Sequence, residues 1–89
     1  ATHIARKLKH ADDALLYVES WYDWANRGRK PLWLAWSAFR FSEILADRDD
    51  PSDADRIIEL QDEAIAIARE LGLTPLLERV LSQREILKA

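Results

Sequence analysis

The sequence predicts an all-α fold, and three observations carry that prediction. Apolar residues recur at three- and four-residue spacings through most of the chain, the period of a helix with one buried face. Only two Gly and three Pro punctuate 89 residues, enough breaks for about four helices joined by short links. No stretch alternates apolar and polar residues as a half-buried strand would. The length suits one domain and not two. Residues 1–89 are therefore expected to form a single helical domain: a long N-terminal helix (2–27), a helical hairpin (32–73) and a capping helix (74–89). The expected architecture is about four antiparallel amphipathic helices, at roughly 2–26, 31–46, 53–71 and 75–87.

The first helix rests on Ile4, Leu8, Ala11, Leu15, Val18, Tyr22 and Ala25, which alternate four- and three-residue spacings without interruption. Such a seam packs lengthwise on another helix. A second line of Ala14, Tyr17, Trp21 and Trp24 widens the stripe. A helix of this span is about 37 Å long, and its N-terminal part is expected to project beyond the rest. Gly28 should end it and Pro31 should start the next helix. Arg27, Arg29 and Lys30 lie where a helix C-terminus favours cations.

The second helix has the seam Leu34, Ala38, Phe41 and Leu45, with Trp33, Trp36, Phe39 and Ile44 on other sides. A helix apolar nearly all round is a buried one, so this should be the hub. The stretch 47–55 (DRDDPSDAD) reads as a loop. There Pro51 stops helix continuation, Ser52 is the expected N-cap of the third helix, and Asp53 and Asp55 fall in its first turn. The third helix should bury Ile57, Leu60, Ala64, Ile67 and Leu71, flanked by Ile58, Ile65 and Ala68. Gly72 followed by Leu73 suggests a Schellman stop. Thr74 is then the expected cap of a fourth helix with Leu77, Val80, Leu81 and Leu87 inward.

Composition removes several functional classes. With no Cys, disulfides, thiolate nucleophiles and cysteine zinc sites are excluded, and a reducing cytoplasmic setting is expected. No apolar run is long enough to span a bilayer, and the basic residues 1–10 lack the apolar core of a signal peptide. A net charge of −3 argues against a nucleic-acid partner. Ala1 and the lack of any Met lead us to expect a processed chain or a piece of a longer one.

Two segments carry a resemblance. Leu34, Ala38 and Phe41 give the order large, small, aromatic, and Ala64 lies seven residues after Ile57. Residues 62–75 (DEAIAIARELGLTP) read as a second helix with its exit turn, and residues 76–89 (LLERVLSQREILKA) as a closing helix. Over residues 32–89 the chain resembles a divergent tetratricopeptide-type helical repeat, of the kind found in the C-terminal region of large bacterial signalling ATPases, nucleotide cyclases and transcriptional regulators. The resemblance implies stacked helical hairpins, a capping helix and a role in protein–protein interaction. The 47–53 loop is longer than the family's usual turn, and the first helix is longer and more aromatic than a preceding repeat helix.

The aromatic residues form the strongest candidate site. Tyr17, Trp21, Tyr22, Trp24, Trp33, Trp36, Phe39 and Phe41 fall within 25 positions. Most should meet in the core between the first two helices. The four Trp residues are too many for so small a core, however, so at least one is expected at the surface. Tyr17, Trp21, Trp24, Trp33 and Trp36 are the candidate interaction surface, since Trp is favoured in interface hot spots. His3 and His10 with Asp12 or Asp13 could ligate a metal only if all lay together, and surface histidines are the expected reading. The acidic loop lacks the Gly at position six of a calcium loop, and Ile58 stands where its closing Glu should be. Arg6, Lys7, Lys9 and the 27–30 cluster read as a solvated face. Arg40 and Glu43 are expected to form a semi-buried pair. The serines have no His nearby and no Gly-rich phosphate loop exists, so no catalytic residue, metal or cofactor is expected.

The expected function is thus a non-catalytic protein-interaction or oligomerisation module of a bacterial regulatory protein, self-associating as a homodimer through the first helix or the exposed Trp face. The alternative is a self-standing four-helix bundle that binds a small apolar ligand between its helices, with Trp residues lining the pocket.

Overall fold

A computed structural model describes the backbone of residues 2–88 and the side-chain surroundings of residues 13–87. Four helices follow one another: α1 Thr2–Arg27, α2 Pro31–Arg48, α3 Ala54–Leu71 and α4 Thr74–Lys88. A 3-10 turn, Pro51–Asp53, leads into α3. The described residues contain no strand. The all-α class and the four helices are as the periodicity predicts.

The packing order follows the chain. α1 lies on α2, α2 on α3, and α3 on α4, with a lighter contact between α2 and α4. Among the described residues α1 and α4 make no extensive contact that would close a ring, and the molecule is a slab of 45 × 32 × 21 Å. α2 is the hub, as expected. It buries Ala35, Ser37, Ala38, Phe39, Phe41, Ser42, Ile44 and Leu45. Small residues permit its closest approach. Ala35, Ala38 and Ala64 are wholly buried and Ala68 nearly so. α2 and α3 form the most extensive pair. A larger side chain at such a position would force the helices apart, typically at about 1–3 kcal/mol.

The α1 seam is present over its described part. Val18 and Ala25 are buried, and Leu15 and Tyr22 pack partly against the core. Ile4, Leu8 and Ala11 lie outside the described side chains. On α3 the buried face is turned from the expected one. Leu60, Gln61, Ala64, Ile65 and Ala68 are buried, whereas Leu71 is exposed and Ile57 and Ile67 are only partly covered. The reason is that α3 serves two neighbours, and its second contact, with α4, draws in Gln61. On α4, Leu76 and Val80 are fully buried while Leu81 and Leu87 face outward, correcting the inward assignment of the last two. Leu77 is half-buried against the core.

Gln61, 2% exposed, is the polar key of the α3–α4 contact. Its Nε2 donates to Gln83 Oε1 at 3.1 Å and its Oε1 accepts from Arg84 Nε at 3.2 Å. Gln83 Oε1 also lies 3.1 Å from the hydroxyl of Ser42 on α2, which bonds the Phe39 carbonyl at 2.6 Å. Arg84 bonds Asp62 as well. These hydrogen bonds tie three helices together, while Gln83 Nε2 stays buried without a partner.

The helix ends hold three corrections. Gly28 does not supply the left-handed residue that ends α1. Arg29 does, with φ 49°; the Lys30 N–H bonds the Ala25 carbonyl at 3.0 Å and the Arg29 N–H that of Asn26 at 3.4 Å. This is a Schellman stop with its glycine one position early. Ser52 is not the cap of α3. It lies within the 3-10 turn, where Asp50 Oδ1 accepts its N–H at 3.0 Å and its hydroxyl at 2.8 Å. These bonds hold the Asp50 carboxyl below its ordinary pKa. Pro51 occupies the first position after Asp50, so the acceptor must come from the residue before the proline. Thr74 is the first residue of α4, and the first helical bond runs from the Leu77 N–H to the Leu73 carbonyl at 2.9 Å. Arg48 clamps the turn with a bidentate bond to Asp53, at 2.8 Å and 2.9 Å.

Gly72 behaves as predicted. Its φ is 69°, its N–H bonds Arg69 and Leu73 bonds Ala68 at 2.8 Å. Only glycine takes this conformation without a Cβ penalty. Gly72→Ala is expected to lower stability by about 1 kcal/mol and Arg29→Gly to raise it by a similar amount. Urea unfolding at low protein concentration, followed by far-ultraviolet circular dichroism, checks both.

Candidate interaction face on the first two helices

α1 and α2 are antiparallel, so the residues on their shared outer face interleave. On α1 that face carries Asp13, Tyr17, Trp21 and Trp24, four or three residues apart. On α2 it carries Trp33, Trp36 and Arg40, three and four residues apart, and seven residues further along the same line Asp47, which also borders the α2–α4 groove. All five residues singled out in the sequence therefore fall on one side of one helix pair.

The aromatic groups divide between that face and the core. Tyr17 is 80% exposed, Trp24 51% and Trp33 47%. Trp21 and Trp36 are half-buried and pack against the core, as does Tyr22. Phe39 and Phe41 are buried, Phe41 meeting Tyr22 edge-on at 5.8 Å. The Trp21 and Trp33 rings are 6.4 Å apart and tilted by 53°, a geometry in which edge and face attract. Trp21 thus anchors the strip while Trp24 and Trp33 stand out from it. Arg40 and Ile44, which the sequence reading left out of the site, line a shallow groove of about 360 Å³ with Ala14, Tyr17, Val18 and Trp21. Their signal was the helical register: Arg40 and Ile44 stand seven and eleven residues after Trp33.

Charge is unevenly placed along the strip. At the α1–α2 turn lie Arg27, Arg29 and Lys30, all exposed. Lys30 Nζ sits 5.1 Å above the Trp24 ring, a cation–π contact, and Arg27 pairs with Asp23 at 3.1 Å. At the far end of the strip, Asp13 and Asp47 are exposed, and neither has an ion pair among the described residues. In the middle Arg40 pairs with Glu43 at 3.3 Å, with both side chains well exposed. That pair is a surface one, not semi-buried, because α2 turns this side away from α3.

Other constellations offer less. Tyr22, Arg56 and Glu63 gather where α1, α2 and α3 meet. The Arg56 guanidinium lies 5.6 Å from the Tyr22 ring and 5.4 Å from that of Phe41. Burial raises the Tyr22 pKa above its ordinary value, the Glu63 carboxylate raises it further and Arg56 opposes them. A raised phenol is a poor base at neutral pH, and the group acts as a packed spacer. No group of three His, Asp or Glu able to hold a metal exists among the described residues. His3 and His10 lie outside the described side chains, as do Arg6, Lys7, Lys9 and Asp12. No helix of the described residues is long and apolar enough to cross a membrane.

Two larger grooves flank α4. One of about 680 Å³ separates it from α2, with Phe39, Glu43, Asp47 and Ile86 on its walls. The other, about 480 Å³, is lined by Leu45, Pro51, Ile57, Ile58, Leu87 and the Gln61–Arg84 pair. No Trp lines either groove, so the tryptophans do not form the walls of a ligand pocket there.

No family model matches the chain, and no curated protein or solved structure is significantly similar to it.

The Tyr22 arrangement has a consequence for pH. Because its folded pKa lies above the ordinary 10.0, the folded state keeps the phenol proton longer than the unfolded chain. The stability this provides is complete below pH 10 and is lost as pH rises through the folded value. Urea unfolding between neutral and strongly alkaline pH is expected to show a steeper alkaline fall for the wild type than for Tyr22→Phe.

Proposed function

We propose that the chain is a non-catalytic protein-interaction or oligomerisation module that acts by surface contact through the aromatic strip of α1 and α2. In this reading it is a tetratricopeptide-like helical unit of a bacterial regulatory protein, working in the cytoplasm. One observation carries it. Tyr17, Trp24 and Trp33 are exposed on a helix pair whose other aromatic rings are buried or half-buried against the core. Exposed aromatic groups contiguous on a rigid scaffold, rimmed by charge, are what a contact surface needs. Half-buried Trp21 beneath them holds the scaffold still, so little ordering is required on binding. The absence of any His from α2, α3 and α4 gives acid–base chemistry few candidates there.

A second reading has its own observation. The groove of about 480 Å³ between α2, α3 and α4 falls within the size range of small-molecule sites and is mostly apolar with a few polar groups. A small apolar ligand would lie against Ile57, Ile58 and Leu87, with Arg84 at its edge.

The two separate cleanly. Helical peptides displayed on phage are selected against the wild-type chain and screened against Trp24→Ala/Trp33→Ala. The proposal expects enriched peptides whose affinity falls by at least tenfold with the variant, since each hot-spot truncation costs about 2 kcal/mol. Peptides indifferent to the variant, or none at all, would count against the strip. An apolar dye that binds the Ile58→Asp protein as tightly as the wild type would likewise contradict the groove reading.

A further inference from the structure

We infer that the occupant of the aromatic strip is a second copy of this chain, laid antiparallel. The inference rests on the reading of the strip as a contact surface and adds its partner and orientation.

The strip is self-complementary in charge. Its turn end carries Arg27, Arg29 and Lys30, and its far end carries Asp13 and Asp47. Between them Tyr17, Trp21 and Trp24 run along α1 for about 21 Å from Asp13 to Arg27. A two-fold dimer uses the same patch on both subunits. Its axis, lying in the plane of contact, can run along the helices or across them. Along the helices, the copies are parallel: the basic turn meets a basic turn and the carboxylates meet carboxylates. Across them, the copies are antiparallel, and Arg29 and Lys30 of each copy face Asp13 and Asp47 of the other. Like charges brought together across an interface oppose association, while opposite ones fix orientation. The charges in question are the ones left over. Arg27 and Arg40 are already paired within the chain, whereas Asp13, Asp47 and Arg29 have no ion pair among the described residues. Arg40 and Glu43 balance each other at the centre, so the aromatic middle carries no net charge that would repel a copy of itself.

The antiparallel arrangement also places aromatic on aromatic. With the axis crossing between Tyr17 and Trp24, each exposed Trp24 of one copy lies toward the Tyr17 of the other. The shallow groove beside Tyr17 and Trp21 can then receive a ring.

Sedimentation equilibrium of the full chain, from low to high micromolar concentration, tests the inference with two charge variants. Arg29→Glu/Lys30→Glu makes both ends acidic, and Asp13→Lys/Asp47→Lys makes both ends basic. The wild type is expected to form dimers. Each variant alone should dimerise at least about tenfold more weakly, since four rim pairs turn repulsive. An equimolar mixture of the two should regain wild-type association as a heterodimer. Total charge does not imitate this result. The first variant goes from −3 to −7 and the second from −3 to +1, so general repulsion would weaken the first and strengthen the second. Circular dichroism verifies that both remain folded, and the mixture confirms it, since only folded chains would rescue each other.

A monomeric wild type, variants that dimerise as well as the wild type, or a mixture that fails to recover would each overturn the second-copy inference. The failures are distinguishable from that of the underlying reading. If the wild type is monomeric but selected peptides still depend on Trp24 and Trp33, the strip stands and its partner is another protein. If a dimer forms that Trp24→Ala/Trp33→Ala does not weaken, both the strip and the inference fall.

Discussion

Everything in this molecule is hung on the close approach of α2 and α3. Alanines make that approach: Ala35 and Ala38 on one helix and Ala64 and Ala68 on the other are stripped of solvent. With so little side chain between them, the two backbones come near enough for Leu45, Leu60 and Ile65 to be buried around the contact. Interiors are packed as densely as organic crystals, so such a contact has little slack. The position of α1 on one side and α4 on the other follows from it.

The two outer helices are held by different chemistry. α1 is attached by shape, with Val18 and Ala25 buried and Trp21, Tyr22 and Phe41 filling the remaining space. Rings are large, and a helix pair alone cannot enclose all of them. The aromatic surplus on α1 and α2 therefore emerges on the outer side, and the strip is a geometric consequence of anchoring a helix with tryptophan on a hub only two helices thick. α4 is attached at one end by Leu76 and Val80 and further along by the Gln61, Gln83 and Arg84 bonds. Polar keys contribute less to affinity than apolar burial, but they enforce register, because a slip would leave Gln61 buried and unmatched.

Chain-order packing leaves α1 and α4 each with a side that no other helix covers. A closed bundle would have hidden both. The open arrangement means that Tyr17, Trp24 and Trp33 at one edge and Ile58, Ile86 and Leu87 at the other remain accessible. The first group is aromatic and rimmed by unpaired charge of both signs, whereas the second is aliphatic and borders the grooves around α4. Their different characters suit different contacts, and only the first combines ring stacking with an electrostatic direction.

The sequence by itself determined the helical class, the four helices, the Schellman stop at Gly72 and the concentration of aromatic residues on the first two helices. Each of these depends on local periodicity or on one residue's backbone freedom, and such information is complete within a few neighbouring positions. Only the tertiary structure decided which face of α3 and α4 was buried, because a helix with two neighbours has two inward directions and the periodicity shows an average of them. Gln61 and Leu76 were illegible for that reason. It also decided that Arg29, not Gly28, turns left-handed, since the register of the closing hydrogen bonds is set by where α2 begins. The division of the aromatic rings into anchors and exposed groups belongs to the same class. Trp21 and Trp24 are alike in the sequence and differ only in which side of α1 the hub occupies.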